Sequence, residues 1–246
     1  EAEGLDRQMY LAATYDVAVD WDAVYTEAQK IFGNYSCKGQ LANEVSDDTG
    51  EKEDKRGNVI AIEDATLRKS VSNVKPTVGT ADWTLSAYTG SKSETRMTLE
   101  DTISVTLPEG TEERVRTAAE AATYIDPASV KVWCNNQSIY YLGSYRGGWT
   151  QEDLSITVEG RHLSITVQGS KLAPKQSYTV TYSSALDKGV FLENGGKSQD
   201  TYTLQNAAAL GYGDLTVGAS PSGSFKPELP IRASKKCDQT QRKLAR

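Results

Sequence analysis

The sequence predicts an all-β fold, an immunoglobulin-like antiparallel β-sandwich. Residues 81–208 carry a series of short segments in which apolar and polar residues alternate with period 2, separated by turn residues. Hydrophobic residues make up only 38% of the 246 residues, and Thr, Ser, Val, Tyr and Gly are abundant. That composition favours strands and turns over helices, and regularly spaced short strands are typical of a sandwich.

The predicted elements follow one another closely along the chain. LSITVEGRHLSITVQ is the clearest hairpin, because two near-identical strands flank a turn that contains glycine. The alanine-rich segment 111–125 predicts one short helix inserted between strands. Trp83, in an early strand, is expected in the core. The alternating segments are 82–89, 102–108, 129–135, 138–145, 154–160, 163–169, 177–184 and 200–206.

An internal repeat predicts parts of three modules. The segment that begins YDVAV matches the segment that begins YTVTY in order and character, and their alignment places Asn34 on Asp200, an offset of 166 residues (200 − 34 = 166). The same offset carries Lys69 onto Lys235. We therefore expect C-terminal strands of a preceding module in 1–45, a charged linker in 46–63, a complete sandwich module in 64–208, and a linker with the start of a following module in 209–246.

Charge and composition argue against several classes of function. The net charge of −6 and the pI near 5.0 offer no basic surface for nucleic acid. No run of apolar residues is long enough for a membrane span. Cys37, Cys134 and Cys237 form no CxxC pair, and His162 is the single histidine, so we predict no metal, no cofactor and no disulfide framework. Because the sequence begins with Glu1 and has no signal peptide, we expect a piece of a larger protein.

Lys69 is the residue that raises a chemical question. It lies in ATLRKSVSNV, a strand-like run of apolar and small residues, while Asp101 begins another strand and Asp200 the last one. The first and last strands of an immunoglobulin-like sandwich can be neighbours, so we expect Lys69 beside Asp200. The alternative is that Lys69 is a solvated edge lysine and that both aspartates are turn or strand-start residues.

The order of several motifs resembles a known family. LRKS, ADWTLSA, LEDTIS, YIDPASVKV, YTVTYSSALD and DTYTL follow the order seen in isopeptide-forming adhesin domains of Gram-positive surface proteins, of the collagen-adhesin type. In that family a strand lysine joins an Asn or Asp side chain on the last strand, assisted by a buried acid. The resemblance implies that Lys69 is the nucleophile, Asp101 the assisting acid and Asp200 the acceptor.

The acceptor departs from the usual pattern of this family, in which asparagine is more common. An aspartate at 200 would release water instead of ammonia, whereas Asn34 keeps the asparagine at the equivalent place of the preceding module. Lys75 and Asn206 are the alternative partners. The chemistry requires burial, because burial lowers the pKa of a lysine and lets an adjacent carboxyl group shuttle its proton. Such a reaction occurs once per chain, so we predict no enzyme turnover.

These features predict a structural stalk or repeat module of a Gram-positive cell-surface adhesin or pilus-like protein. The module would be extracellular, attached to the cell wall and in contact with neighbouring modules of the same chain. The alternative is a binding module that recognises a host matrix protein or a glycan through Tyr140, Tyr145, Arg146 and Trp149. Packing of a tyrosine-rich strand pair would also account for the three aromatic residues.

Overall fold

A computed structural model describes residues 39–45, 56–219 and 223–229 of the chain. Within these residues two antiparallel sheets enclose one hydrophobic core, to which inward side chains of both sheets contribute. The predicted β-sandwich is therefore confirmed. Period-2 alternation produces this arrangement, because successive side chains of a strand point to opposite faces of the sheet.

The element bounds follow the chain. The strands are β1 (Gly39–Val45), β2 (Arg56–Ile62), β3 (Thr66–Lys75), β4 (Thr80–Tyr88), β5 (Arg96–Thr106), β6 (Thr123–Ile125), β7 (Lys131–Cys134), β8 (Gln137–Tyr141), β9 (Ser144–Tyr145), β10 (Leu154–Glu159), β11 (His162–Gln168), β12 (Ser177–Leu186), β13 (Thr203–Tyr212), β14 (Leu215–Ala219) and β15 (Ser224–Phe225). The helices are α1 (Glu113–Ala122) and α2 (Lys188–Glu193), with 3-10 turns at Pro127–Ser129 and Gly169–Lys171.

Each sheet has a defined strand order. The six-stranded sheet runs β10-β11-β5-β13-β14, with β15 also paired to β13. The seven-stranded sheet runs β3-β4-β12-β7-β8-β9, with β6 also paired to β12. Strands β3 and β13 therefore belong to opposite sheets, and a side chain that joins them must cross the core. β1 and β2 pair with each other in a separate ribbon.

The inserted helix lies close to its predicted place. It begins at Glu113, and Val115, Ala118, Ala119 and Ala122 form its buried side. The predicted segment extends to 125, but residues 123–125 form β6 beside β12. The Thr123 hydroxyl donates to the carbonyl of Ala119 (2.8 Å) where the helix ends. None of the helices in the described ranges is long and apolar enough to cross a bilayer.

The sandwich extends beyond the predicted boundary at residue 208. β13 continues to Tyr212, and both β14 and β15 pair with it although their segment is rich in Gly and Ser. Gly213 has a φ of +57° in the turn between β13 and β14, so this glycine serves a tight hairpin. β2 likewise begins at Arg56, within the predicted charged linker. The predictions for Asn34, Cys37, Lys235 and Cys237 lie outside the described residues.

Candidate functional site

Polar side chains occupy core positions in both sheets. Lys69 is on β3, Tyr182 on β12, Asp101 on β5 and Asn206 on β13, and the exposed fractions of these four residues are 8%, 2%, 1% and 0%. Their neighbours two residues away along β3, β5 and β13 are apolar: Leu67 and Val71, Leu99 and Ile103, and Leu204 and Ala208. Lys69, Asp101 and Asn206 thus each occupy an inward position that is flanked by apolar residues of the same strand.

Lys69 crosses the core to reach Asp101. The Lys69 Nζ atom lies 2.5 Å from Asp101 Oδ1, and neither side chain has any exposed surface. The ammonium group is also 5.3 Å from the centre of the Trp83 ring. An ion pair without access to water is costly to maintain, because both charges have lost their hydration.

Burial shifts both members of this pair towards their neutral forms. Loss of hydration lowers the pKa of Lys69 to about 8, although the negative charge and the hydrogen bond of Asp101 act in the opposite direction. Burial also raises the pKa of Asp101, against the lowering effect of Lys69 and of the hydrogen bond from Tyr182. Both shifts reduce the free-energy cost of transferring one proton from the amine to the carboxylate.

Tyr182 connects the carboxyl group to an amide. Its hydroxyl donates to Asp101 Oδ2 (2.5 Å), and Asn206 Nδ2 donates to the same hydroxyl (2.5 Å). Because Asn206 pairs with Ile103 and Asp101 pairs with Ala208, Asp101 and Asn206 are diagonal neighbours on one face of adjacent strands. Asn206 Oδ1 is buried and has no hydrogen-bond partner among the described residues.

These contacts join four residues in one continuous sequence, Lys69–Asp101–Tyr182–Asn206, called the core cluster below. It contains an amine, a carboxyl group that can accept its proton, and a primary carboxamide with a carbon that an amine can attack. All of these groups are shielded from water. The sequence predicted Lys69 and Asp101 together, and the structure brings them into contact.

Asp200 lies elsewhere. It occupies the turn before β13, where its Oδ2 accepts from the backbone N–H of Lys197 (2.6 Å) and its own N–H donates to the Lys197 carbonyl (3.0 Å). The residue is partly exposed, and the structure does not bring it into the core cluster. Lys75 is exposed at the end of β3. The alternative partner Asn206 is the residue that the structure brings to Asp101 through Tyr182.

The tyrosine-rich edge of the seven-stranded sheet has a different character. The rings of Tyr140 and Tyr145 contact edge to face at 5.3 Å, and Trp149 contacts Tyr178 in the same way at 6.5 Å. Tyr140, Tyr145 and Trp149 are partly buried and pack against the core. Packing within the sandwich therefore buries much of the surface of these three aromatic side chains.

Arg146 is the exposed member of the predicted binding set. Its guanidinium lies 4.7 Å from the centre of the Tyr141 ring, and Lys131 Nζ lies 5.2 Å from the same ring. The described residues contain no group of three or more His, Cys, Asp or Glu side chains that could hold a metal ion. Cys134 is a buried free thiol within the core.

No family model matches this sequence, and no curated protein matches it. Solved structures are similar in fold. The backbone pilin T6 of Streptococcus pyogenes is 10% identical with a TM-score of 0.44, over 80% of this chain and 43% of the pilin. The major pilin subunit of Bacillus cereus is 10% identical with a TM-score of 0.39, over 76% of this chain and 46% of the pilin.

A third similar structure is the collagen-binding subdomain of the Enterococcus faecalis surface protein ACE. It is 12% identical with a TM-score of 0.37, over 63% of this chain and 95% of the subdomain. The chain thus spans less than half of each pilin. At these levels of similarity, neither the binding nor the assembly of those proteins is transferred to this chain.

Proposed function

We propose that this chain is a structural module of a cell-surface adhesin or pilus-like protein, stabilised by an isopeptide bond between Lys69 and Asn206. The observation that carries the proposal is the buried core cluster, in which a water-free Lys69–Asp101 pair is joined to a buried asparagine. A buried ion pair opposes folding, and so does an amide oxygen that has no hydrogen-bond partner among the described residues. Their presence at inward positions is accounted for if they react.

The reaction requires no cofactor. After Asp101 has taken one proton from Lys69, the neutral amine attacks Cγ of Asn206 and a bond forms between Nζ and Cγ. The bond between Cγ and Nδ2 breaks, and ammonia leaves. The fold supplies most of the acceleration, because groups held in position react as if at effective concentrations of about 10⁵ M or more.

The bond would tie the two sheets together across the core. It would close a loop of about 140 residues, and a covalent link around a loop of that size disfavours the unfolded chain by about 4–5 kcal/mol in the chain-entropy model. The link needs no oxidant and is not cleaved by reductants. It would therefore suit a module with few cysteines outside the cell.

The setting of the module is part of the same proposal. The motif order that resembles the collagen-adhesin type supports an extracellular, cell-wall-attached protein, with neighbouring modules of the chain as partners. The reaction occurs once and gives no turnover, so the chain is proposed to be structural and not an enzyme. Lys69 and Asp101 keep the roles implied by the resemblance, and Asn206 takes the role of acceptor.

The intact mass of the purified chain tests this proposal directly. A Lys69–Asn206 bond removes one ammonia from the mass that the sequence predicts, whereas a bond to Asp200 would remove one water. We expect loss of ammonia in the wild type and in Asp200→Ala, and the full predicted mass in Lys69→Ala and Asn206→Ala. A wild-type chain with its full predicted mass would refute the cross-link.

A second candidate function is recognition of a host matrix protein or a glycan. The observation that favours it is the exposed Arg146, which lies with Lys131 against the Tyr141 ring at the edge of the seven-stranded sheet. Binding to matrix-protein or glycan arrays that is lost in Arg146→Ala would support this function. Arg161→Ala is the control, because Arg161 is paired with Glu120 elsewhere on the surface.

A further inference from the structure

Tyr182 belongs to the core cluster but has no role yet in the proposed reaction, in which Lys69 is the nucleophile, Asp101 the acid and Asn206 the acceptor. Its hydroxyl forms a hydrogen bond with Asp101 and another with Asn206. The contact with Asn206 is at Nδ2, the atom that must leave as ammonia. A nitrogen leaving from a tetrahedral intermediate requires a proton, because an amide anion is a very poor leaving group.

The geometry points to Tyr182 as the residue that delivers this proton, as a relay between Asp101 and the departing nitrogen of Asn206. The inference rests on the proposed function, since it assigns a role within the same reaction. The tyrosine hydroxyl contacts a reacting atom, Nδ2 of Asn206. Tyr182 would therefore be a catalytic residue in addition to packing in the core.

The two oxygens of Asp101 divide the proton transfers between them. Oδ1 contacts the Lys69 amine and Oδ2 contacts the Tyr182 hydroxyl. When one proton has passed from the ammonium group to the carboxylate, the acid can hold it on Oδ2 and donate it to the Tyr182 oxygen, and the Tyr182 hydroxyl hydrogen then turns from Oδ2 towards Asn206 Nδ2. The neutral amine keeps its contact with Oδ1.

The complete step balances. As Nζ bonds to Cγ, the amine of Lys69 gives a proton to Asp101 Oδ1, and Oδ2 gives its proton to the Tyr182 oxygen. The Tyr182 hydroxyl gives its original proton to Asn206 Nδ2, and the bond between Cγ and Nδ2 breaks. Asp101 and Tyr182 end in the protonation states in which they began, and the products are the amide and ammonia.

The environment of Tyr182 suits this role. Burial, followed by the neighbouring charge of Asp101, raises the pKa of the tyrosine above its ordinary value. The phenol therefore stays protonated at neutral pH and can act as a donor there. Solvent cannot replace it easily, because Asn206 has no exposed surface.

A matched pair of variants tests the relay. Tyr182→Phe removes only the hydroxyl, and Tyr178→Phe removes the hydroxyl of another buried tyrosine on the same strand, which donates to Gln176 Oε1 (2.6 Å) away from the core cluster. The full-length chain is made by cell-free synthesis, samples are quenched at intervals, and the fraction that has lost ammonia is measured by intact mass.

We expect Tyr182→Phe to form the bond about 10²-fold more slowly than the wild type, as for other losses of general acid–base catalysis, and Tyr178→Phe to match the wild type. A Tyr182→Phe chain that loses ammonia at the wild-type rate would overturn the relay and leave the cross-link intact. A wild type that never loses ammonia would overturn both.

A second variant separates chemistry from packing. Fluorotyrosine at position 182 keeps the shape of the ring and changes the acidity of the phenol, so a hydroxyl that takes part in the proton transfers predicts a changed rate of ammonia loss. A rate that is unchanged by fluorination would overturn the relay. This measurement also decides the question if circular dichroism shows that Tyr182→Phe does not fold.

Discussion

Two lysines of the seven-stranded sheet lie over aromatic rings at almost the same distance. Lys69 Nζ is 5.3 Å from the Trp83 ring centre, and Lys131 Nζ is 5.2 Å from that of Tyr141. Lys69 is sealed in the core with Asp101, whereas Lys131 is only half-buried. Both lysines therefore make a cation–π contact. Lys69 differs from Lys131 because it is excluded from water and belongs to the core cluster with Asp101 and Asn206.

The largest expected difference in the free energy of unfolding is between Lys69→Ala and Lys131→Ala. Lys69→Ala removes the proposed link and leaves Asp101 buried without its partner, so the free energy of unfolding should fall by about 5 kcal/mol or more. Lys131→Ala loses only a surface contact and should cost about 1 kcal/mol or less. Denaturant unfolding of both variants measures the difference, and equal losses would contradict it.

The pH dependence of an unreacted core cluster should show a smaller effect. In Asn206→Ala no link can form, so Lys69 keeps its lowered pKa of about 8 in the folded chain against 10.5 in the unfolded one. Below pH 8 both states hold the proton, and between pH 8 and 10 the unfolded state holds more. The free energy of unfolding should therefore rise with pH over this window, by an amount on the order of 1–3 kcal/mol.

The double variant Lys69→Ala/Asn206→Ala is the control for this rise. It retains the buried tyrosines and the acid but lacks the lysine, so the rise between pH 8 and 10 should be absent from its profile. Asp101 acts in the opposite direction, because its raised pKa makes the folded state hold more protons than the unfolded one. Parallel profiles from pH 8 to 10 would show that the pKa of Lys69 is not lowered.

Trp83→Phe should have a moderate effect on stability. The substitution reduces the aromatic surface beside Lys69 and removes the hydrogen bond from Trp83 Nε1 to Ser184 Oγ (2.9 Å). Ser184 would be left buried with a weaker set of partners, so we expect a loss of about 1–3 kcal/mol in the free energy of unfolding. Trp133→Phe, at a half-buried position of β7, is the matched control and should cost less.

The smallest effect is expected for Asp200→Ala. This residue is partly exposed and its carboxylate accepts from the N–H of Lys197 in its own turn, so the free energy of unfolding should change by about 1 kcal/mol or less. The loss of ammonia should be unchanged. A variant that kept its full predicted mass would instead return the acceptor role to Asp200.

Strand phase explains what the sequence missed at the acceptor. Lys69 was recognised as a lysine within a run of apolar and small residues, whereas Asp101 was assigned from the order of motifs that resembles the collagen-adhesin type. Asp200 and Asn206 share one phase with Tyr202 and Leu204, so periodicity alone does not distinguish them. The choice depends on where β13 begins, and a local turn at Lys197 and Asp200 sets that start.

Tertiary pairing determined the remaining features. The prediction that Lys69 and its acceptor lie on neighbouring strands did not anticipate that β3 and β13 belong to opposite sheets. Hydrophobic alternation shows which side of a strand is buried, but not which sheet the strand joins. Tyr182 gave no signal either, because its position is that of any inward aromatic residue of β12.

The position of Asn206 near the start of β13 determines how the module would respond to tension. The proposed bond makes residues 69–206 a closed ring, and the rest of β13, β14 and β15 follow it in the chain. A pull along the polypeptide could peel these strands from the six-stranded sheet, but it could not lengthen the ring without breaking a covalent bond. The module would thus combine a short extensible end with an inextensible body.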